Sequence, residues 1–218
     1  MNAIVSLSGG MDSATVLADA IDKGRKPLAV GFTYGSKHNP YENQAAADLA
    51  KHYAAPFRLI DLSGVMRGFK SHLMADGGPI PEGHYEDASM AQTVVPGRNI
   101  IFAAILSGLA WSEGAEEIWL GIHQGDHAIY EDCRPSFYAA MNQAIQEGTG
   151  KRVRLVAPFL DGNKTTILKR GLLLGVPYSL TRTCYKDQSL ACGKCGSCQE
   201  RLSAFCAIGV DDPVEYAP

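Results

Sequence analysis

A chain of 218 residues, 46% hydrophobic and 20% charged, has the length and composition of one globular domain with a full core, and it shows no low-complexity tract or internal repeat. Its 20 basic and 23 acidic residues leave a formal net charge of −3, which disfavours a protein built to grip nucleic-acid phosphates and favours a small-molecule substrate. The longest apolar stretch, 100–106, falls far short of the roughly 20 residues that span a bilayer, and no cationic segment precedes the first apolar run, so neither a membrane span nor a secretory signal is expected and the cytoplasm is the default.

Strands are expected at 3–7, 28–32, 57–61, 118–121 and 153–156. Helices are expected at 13–23, 42–54, 99–113, 135–147 and 164–174, with a last one at 199–208. This alternation predicts an α/β fold: a doubly wound, mostly parallel five-stranded sheet with flanking helices. The first strand runs straight into Ser8-Gly9-Gly10-Met11-Asp12-Ser13. Two adjacent glycines let the backbone aim several N–H groups at one point, and the helix that follows adds its positive N-terminus, so an anion is favoured there. Ser8 and Ser13 supply hydroxyls, and Asp12 is placed to cap the helix or hold magnesium beside a phosphate. The loop is neither a Walker A motif nor a dinucleotide fingerprint, and a tight turn before a helix is its plain alternative.

The helix at 99–113 is apolar on nearly every side, so it is expected to be buried, with one face possible at a subunit interface. Residues 62–97 carry many Gly, Pro, Asp and His with little periodicity, which predicts a flexible lid or flap bordering the ligand cleft. That cleft is expected at the carboxyl ends of the strands, where the loops 8–13, 33–39, 123–134 and 157–164 converge.

Near the C-terminus stand Cys184, Cys192, Cys195 and Cys198, with Gly193 and Gly196 between them. The spacing suits a small, closed, structural zinc knuckle with four cysteine ligands, while an iron–sulfur cluster and a disulfide or redox pair are the competing readings. Cys206, on the last helix, reads as a core thiol. Residues 1–180 are thus expected to form the ligand-binding body and 181–218 a zinc-binding region packed on it.

The SGGxDS loop resembles that of the PP-loop (N-type) ATP pyrophosphatases, which cleave ATP between the α and β phosphates. The resemblance sharpens at Tyr34-Gly35-Ser36-Lys37-His38, at Val95-Pro96-Gly97-Arg98-Asn99, at Tyr130-Glu131-Asp132-Cys133-Arg134, and at Thr183-Cys184-Tyr185 followed by the CGxCxxC run, Arg201 and Asp212-Pro213. In this combination, over essentially the whole chain, the sequence is similar to the 7-cyano-7-deazaguanine synthase family. The resemblance implies an adenine-nucleotide alpha-hydrolase-like fold and a two-stage reaction. ATP adenylates 7-carboxy-7-deazaguanine, ammonia gives the amide, and a second ATP drives dehydration to the nitrile.

It further implies that ATP with Mg2+ is held by Leu7, Ser8, Gly9, Gly10, Met11, Asp12, Ser13, Ala14, Thr15, Val16 and Leu17. Asp12, Arg98, Lys164 and Asp132 would be catalytic, and Tyr34, His38, Arg98, Asn99, Asp126 and Arg134 would meet the substrate. A homodimer, a zinc ion on the four cysteines and no nucleic-acid or membrane partner complete the expectation. Ser36-Lys37 stands where the pattern has Gln-Arg, and Glu131 where it has Pro; these positions bear on substrate choice. Plain alternatives stand beside these roles: Lys164 as a solvated lysine, Arg98-Asn99 as a helix cap, Cys133 as an inert buried thiol, and one of Asp126 and Asp132 as a turn residue. His123 and His127 are candidate bases. Competing functions are a PP-loop ligase that stops at the amide or modifies tRNA or a protein, and a noncatalytic zinc-knuckle module.

Overall fold

The computed structural model describes residues 1–85, 87–126 and 129–218. Five parallel strands, β1 (Ala3–Ser6), β2 (Pro27–Thr33), β3 (Phe57–Asp61), β4 (Glu117–Trp119) and β5 (Arg154–Val156), form one sheet in the order β3-β2-β1-β4-β5. The chain builds outward from β1 to β3, then returns to the other side of β1 for β4 and β5. That reversal leaves a crevice beyond the carboxyl ends of β1 and β4, the place where open α/β sheets take their ligands.

Alternate strand residues face two packed layers. Ile4, Leu28, Val30, Phe32, Ile118 and Leu155 pack with α3 (Arg98–Glu113) and α4 (Pro135–Gly148). Ala3, Val5, Ala29 and Trp119 pack with α1 (Met11–Asp22), α2 (Asn39–His52), α5 (Lys164–Leu173) and α6 (Gly196–Ile208). The period-two alternation of a strand thus becomes the doubly wound fold. At the opposite end of the sheet, the buried Glu117 carboxylate accepts from Arg25 at 2.8 Å, from Trp119 Nε1 at 2.9 Å and from Arg154.

The expectation of an all-round buried third helix is corrected. α3 buries Ala103, Leu106 and Ala110 against the sheet, while Ile100 and Trp111 are each 49% exposed. As an outer layer it has only one covered face. The helical run Ala88–Glu113, 26 residues of mean hydropathy 1.4, is long and apolar enough to cross a membrane by composition. It is divided, however, into a 3₁₀ turn (Ala88–Thr93) and α3 by extended Val94 and left-handed Gly97, and α3 is anchored on the sheet. Its 16 residues also rise only about 24 Å, short of a bilayer core.

Asn99 does not cap α3. Instead Asp132 reaches across and accepts from the Asn99 backbone N–H at 2.9 Å. In the same way α5 begins at Asn163, whose side chain accepts from Thr166 N–H at 3.0 Å and sets Lys164 on the first turn. Among the described residues of 62–97 the Ala88–Thr93 turn is the one regular element, yet Met66, Leu73, Met74 and Met90 are buried in the core. Lys37 Nζ ties this stretch down by donating to the carbonyls of His72 and Gly77 at 2.9 Å and of Gly78 at 2.5 Å.

In α6, Arg201 is fully buried, donating to Asp212 at 2.7 and 2.8 Å, to the hydroxyls of Thr181 and Thr183, and to the Tyr178 carbonyl. Removing one partner of a buried ion pair strands the other charge, at a cost of about 3–5 kcal/mol. Asp212→Ala is therefore expected to lower the unfolding free energy by about 3 kcal/mol, read from denaturant melts; an unchanged midpoint would contradict the assigned role of this pair.

Candidate active site

The turn after β1 is shaped by its neighbours. Gly9 has φ +86°, and a Cβ there would lie 2.5 Å from the Glu42 carbonyl oxygen and 2.9 Å from Ala46 N, so only glycine fits. Arg182 N–H donates to the Gly9 carbonyl at 2.8 Å, and Ser8 N–H donates to Ser13 Oγ at 3.2 Å. Gly10 is the N-cap of α1 and offers no side chain, so the first-turn amides of α1 face the crevice free for an anion. Leu7, Ser8, Gly10, Met11, Asp12 and Ser13 line the crevice. Of the other residues expected to hold ATP, Ala14, Val16 and Leu17 are core side chains, Thr15 bonds Met11 O and Tyr178 Oη at 2.8 Å, and Gly9 shapes the turn.

Against this turn lies a compact charge cluster. Lys164 Nζ is 2.5 Å from Asp12 Oδ2, 3.1 Å from Glu200 Oε2 and 3.2 Å from His123 Nε2. His123 Nε2 is in turn 3.4 Å from Asp126 and 3.6 Å from Asp12. Lys164 is only 7% exposed, which overturns the solvated reading. Burial alone would discharge its ammonium, but Asp12 and Glu200 outweigh that and hold it charged far above neutral pH. Burial likewise works to protonate Asp12, yet Lys164 and His123 keep its carboxyl well below the usual range. Asp12 Oδ1 is buried without a partner among the described residues, leaving one acceptor turned to the site. His123 Nδ1 accepts from Gly125 N–H at 3.1 Å, which places the neutral ring's proton on Nε2, facing these carboxylates.

The other half of the crevice is aromatic. Phe32 stacks on Phe102 with centroids 4.1 Å apart, and Tyr34 meets Phe102 edge-on at 5.7 Å. Arg98 donates to Tyr34 Oη at 3.3 Å, while Tyr85, Tyr130 and Tyr185 form a hydroxyl chain with spacings of 2.7 and 3.4 Å. Glu42 also lines this half, and burial pushes its carboxyl up to about 8 despite Arg98 and Arg182 nearby. His38 lies behind, 3.4 Å from both Tyr34 Oη and Glu42; burial and Arg98 hold it down to about 3, hence neutral.

Of the sequence candidates, Tyr34, Arg98, Asn99, Asp126 and Lys164 join the crevice. Asp132 does not: its carboxylate is spent on the α3 N-terminus, so it is a positioning group. Arg134 stands outside the lining as N-cap of α4, and His127 lies outside the described residues. Ser36-Lys37 likewise stands off the lining, because Lys37 is bound to loop carbonyls, and Glu131 is exposed. Cys133 is a buried thiol on the crevice wall, and burial drives its pKa far up, away from a nucleophilic thiolate.

Sequence reasoning missed Glu42, Tyr85, Tyr130, Arg182, Thr183, Tyr185 and Ser197, which all line the crevice, and Glu200, which contacts Lys164. Tyr130, Thr183 and Tyr185 stand in the motifs that carry the family resemblance and Ser197 adjoins Cys198, the signals that could have pointed to them.

Cys184, Cys192, Cys195 and Cys198 are buried, and all four sulfurs lie within 4.8 Å of one another. Cys192 Sγ and Cys198 Sγ are 3.9 Å apart, the edge of a tetrahedron with metal–sulfur distances of about 2.3 Å and much longer than the roughly 2.05 Å of a disulfide. Backbone N–H groups of Lys186, Cys192, Lys194 and Cys195 approach the Cys184 and Cys192 sulfurs at 3.2–3.4 Å, as around thiolate ligands. The donor set fits a soft four-coordinate metal, and the competing disulfide reading falls. Cys206, expected in the core, is exposed on α6.

An uncapped helix start and a buried lysine–carboxylate cluster thus stand at the switch point of this sheet, and the sheet with its flanking helices is an α/β fold of the PP-loop ATP pyrophosphatase type. Solved structures agree on the fold. NMN synthetase from Francisella tularensis superposes with TM-score 0.54 at 14% identity, covering 96% of this chain and 78% of that one. The U34-tRNA thiolase NcsA from Methanococcus maripaludis, solved with its [4Fe-4S] cluster, gives 0.53 at 15% identity, covering 94% and 64%.

Within that class the chain belongs to the family described as "Queuosine biosynthesis protein QueC", whose profile matches residues 2–209. It is 44% identical over 216 residues to the 7-cyano-7-deazaguanine synthase of Caldicellulosiruptor bescii, covering 99% of this chain and 97% of that protein. The Alteromonas mediterranea protein of the same name is 43% identical over 215 residues, covering 99% and 98%.

The Glu42 carboxyl has a testable signature. Its folded pKa of about 8 lies above the ordinary 4.5, so the folded chain binds more protons between those limits. That contribution to stability is full below pH 4.5 and is lost as pH rises through 8. Glu42→Gln is expected to flatten the fall in melting temperature between about pH 5 and pH 8; a parallel decline in both proteins would contradict the raised carboxyl.

Proposed function

We propose that this chain converts 7-carboxy-7-deazaguanine and ammonia to 7-cyano-7-deazaguanine at the expense of two ATP. The family membership supplies the substrate class. The observation that carries the chemistry is the Asp12–Lys164 pair at the free N-terminus of α1. A carboxylate is a poor electrophile, so one of its oxygens attacks the α-phosphorus of ATP, forming an acyl adenylate and expelling pyrophosphate. The amides of the Ser8–Ser13 turn and Lys164 meet the charge that builds on the departing pyrophosphate. Ammonia then adds to the acyl carbon and expels AMP, leaving the amide. In the second round the amide oxygen takes the adenylyl group, and loss of AMP with two N–H protons gives the nitrile.

Mg2+, held by Asp12 with Asp126, would neutralise the phosphate oxygens. Arg98, a buried cation with only the Tyr34 hydroxyl as partner among the described residues, suits the substrate's oxygens. Zinc on Cys184, Cys192, Cys195 and Cys198 would be structural, since four protein sulfurs leave no open position. Bound there, it would fix the cysteine segment from which Thr183, Tyr185 and Ser197 line the crevice. We assign residues 1–180 to the ATP-binding body, 181–218 to the zinc region and 62–97 to a flap whose Tyr85 reaches the site. A cytoplasmic homodimer that does not act on nucleic acid is the assembly we favour; the net charge of −3 and the half-open apolar face of α3 support it.

Incubation with ATP, magnesium, ammonium and 7-carboxy-7-deazaguanine, followed by mass spectrometry, is expected to yield nitrile and AMP. Amide as the final product would reduce the assignment to the first stage, and failure to consume ATP would overturn it. Asp12→Ala is expected to lower turnover by at least about 10²-fold, because it unpairs Lys164, while zinc content by elemental analysis stays at the wild-type value. Loss of zinc in that variant would contradict the independence of the two sites.

A further inference from the structure

The reaction needs groups on the phosphate side of the crevice, yet two polar side chains on the aromatic side are almost unspent. Among the described residues, the Glu42 carboxylate has one polar atom within 4 Å, His38 Nε2 at 3.4 Å, with Arg98 and Arg182 farther off, and Arg98 has one hydrogen bond, to Tyr34 Oη at 3.3 Å. Both line the crevice beside Phe32 and Phe102, and among the described residues they form no ion pair with each other. A buried carboxyl beside a buried guanidinium, held apart and both facing the same space, is an incomplete hydrogen-bonding array.

The heterocycle's own chemistry completes it. A guanine-type ring shows, along one edge, a carbonyl acceptor followed by a ring N–H and an exocyclic amino group, both donors. Reading that edge takes a donor beside an ionised carboxylate with two accepting oxygens, and the ring's two N–H donors are the partners whose lack keeps the buried Glu42 carboxyl protonated in the free protein. His38 is neutral and braces both Tyr34 and Glu42 from behind, so the pair is oriented before the ligand arrives.

We propose that Glu42 is the specificity-determining residue for the heterocycle, accepting from its ring N–H and 2-amino group while Arg98 donates to the adjacent carbonyl. The acid group, on the carbonyl side of the ring, then lies on the Arg98 side of Glu42. The assignment rests on the reaction proposed above and adds the basis for choosing a 2-amino-4-oxo ring.

The test crosses enzyme variants with a substrate lacking one donor. kcat/KM is measured for 7-carboxy-7-deazaguanine and for its analogue without the 2-amino group, in wild type, Glu42→Gln and Glu42→Ala. Wild type is expected to favour the parent acid by about 10- to 100-fold. The ratio should shrink in Glu42→Gln, which keeps one acceptor, and approach one in Glu42→Ala, with KM for ATP changed less than about twofold. Calorimetric binding of both acids to folded Glu42→Gln gives the same ratio without turnover. An undiminished preference in the variants would overturn the assignment while leaving the reaction in place. A wild type that uses neither acid would instead overturn the reaction, and the assignment with it.

Discussion

Burying the Lys164 ammonium is the constraint around which the molecule is arranged. Taking such a charge out of water costs several kcal/mol unless carboxylates come with it. Asp12 and Glu200 do so, and they stand near the starts of α1 and α6, as Lys164 stands at the start of α5. Three helix starts from distant parts of the chain are thereby drawn to one point beyond β1. The cluster rigidifies the end of the crevice beside the free N-terminus of α1, and among the described residues it leaves one Asp12 oxygen uncommitted.

The same constraint links the cysteine cluster to the chemistry. Cys195 is the N-cap of α6, Cys198 lies in its first turn, and Glu200 follows two residues later. The cysteine cluster therefore sits where it fixes the start of α6 and with it the meeting of Glu200 and Lys164, while Tyr185, next to Cys184, joins the hydroxyl chain with Tyr85 and Tyr130. Glu82 bridges to Cys195 and pairs with Lys186 at 2.6 Å, so the 62–97 stretch is fastened to the cysteine segment as well. A four-cysteine cluster placed this way shapes the walls of the crevice from outside it.

Much of this was legible in the sequence because the signals were local. Strand runs, helical spacing, the Ser8–Ser13 turn and the cysteine spacing each need only a few neighbouring residues to be read, and the helices and strands fall within a few residues of expectation. The departures arise where a distant residue decides. α3 begins at Arg98 under a cap lent by Asp132, 33 residues from Asn99. Its apolar composition could not say which face the sheet would cover. Glu42 carries no local signal in the sequence; tertiary packing is what turns it into the crevice. Lys37 reads as a candidate for the site, but its ammonium is taken by three backbone carbonyls of the neighbouring loop.

In the proposed reaction this crevice activates a carboxylate by transferring an adenylyl group to it. The direct measurement is the fate of isotope when the substrate's carboxylate carries ¹⁸O at both oxygens. If a carboxylate oxygen attacks the α-phosphorus, mass spectrometry finds one ¹⁸O in the phosphate of the AMP released and none in pyrophosphate. Label in pyrophosphate or inorganic phosphate, or AMP free of label, would contradict the account.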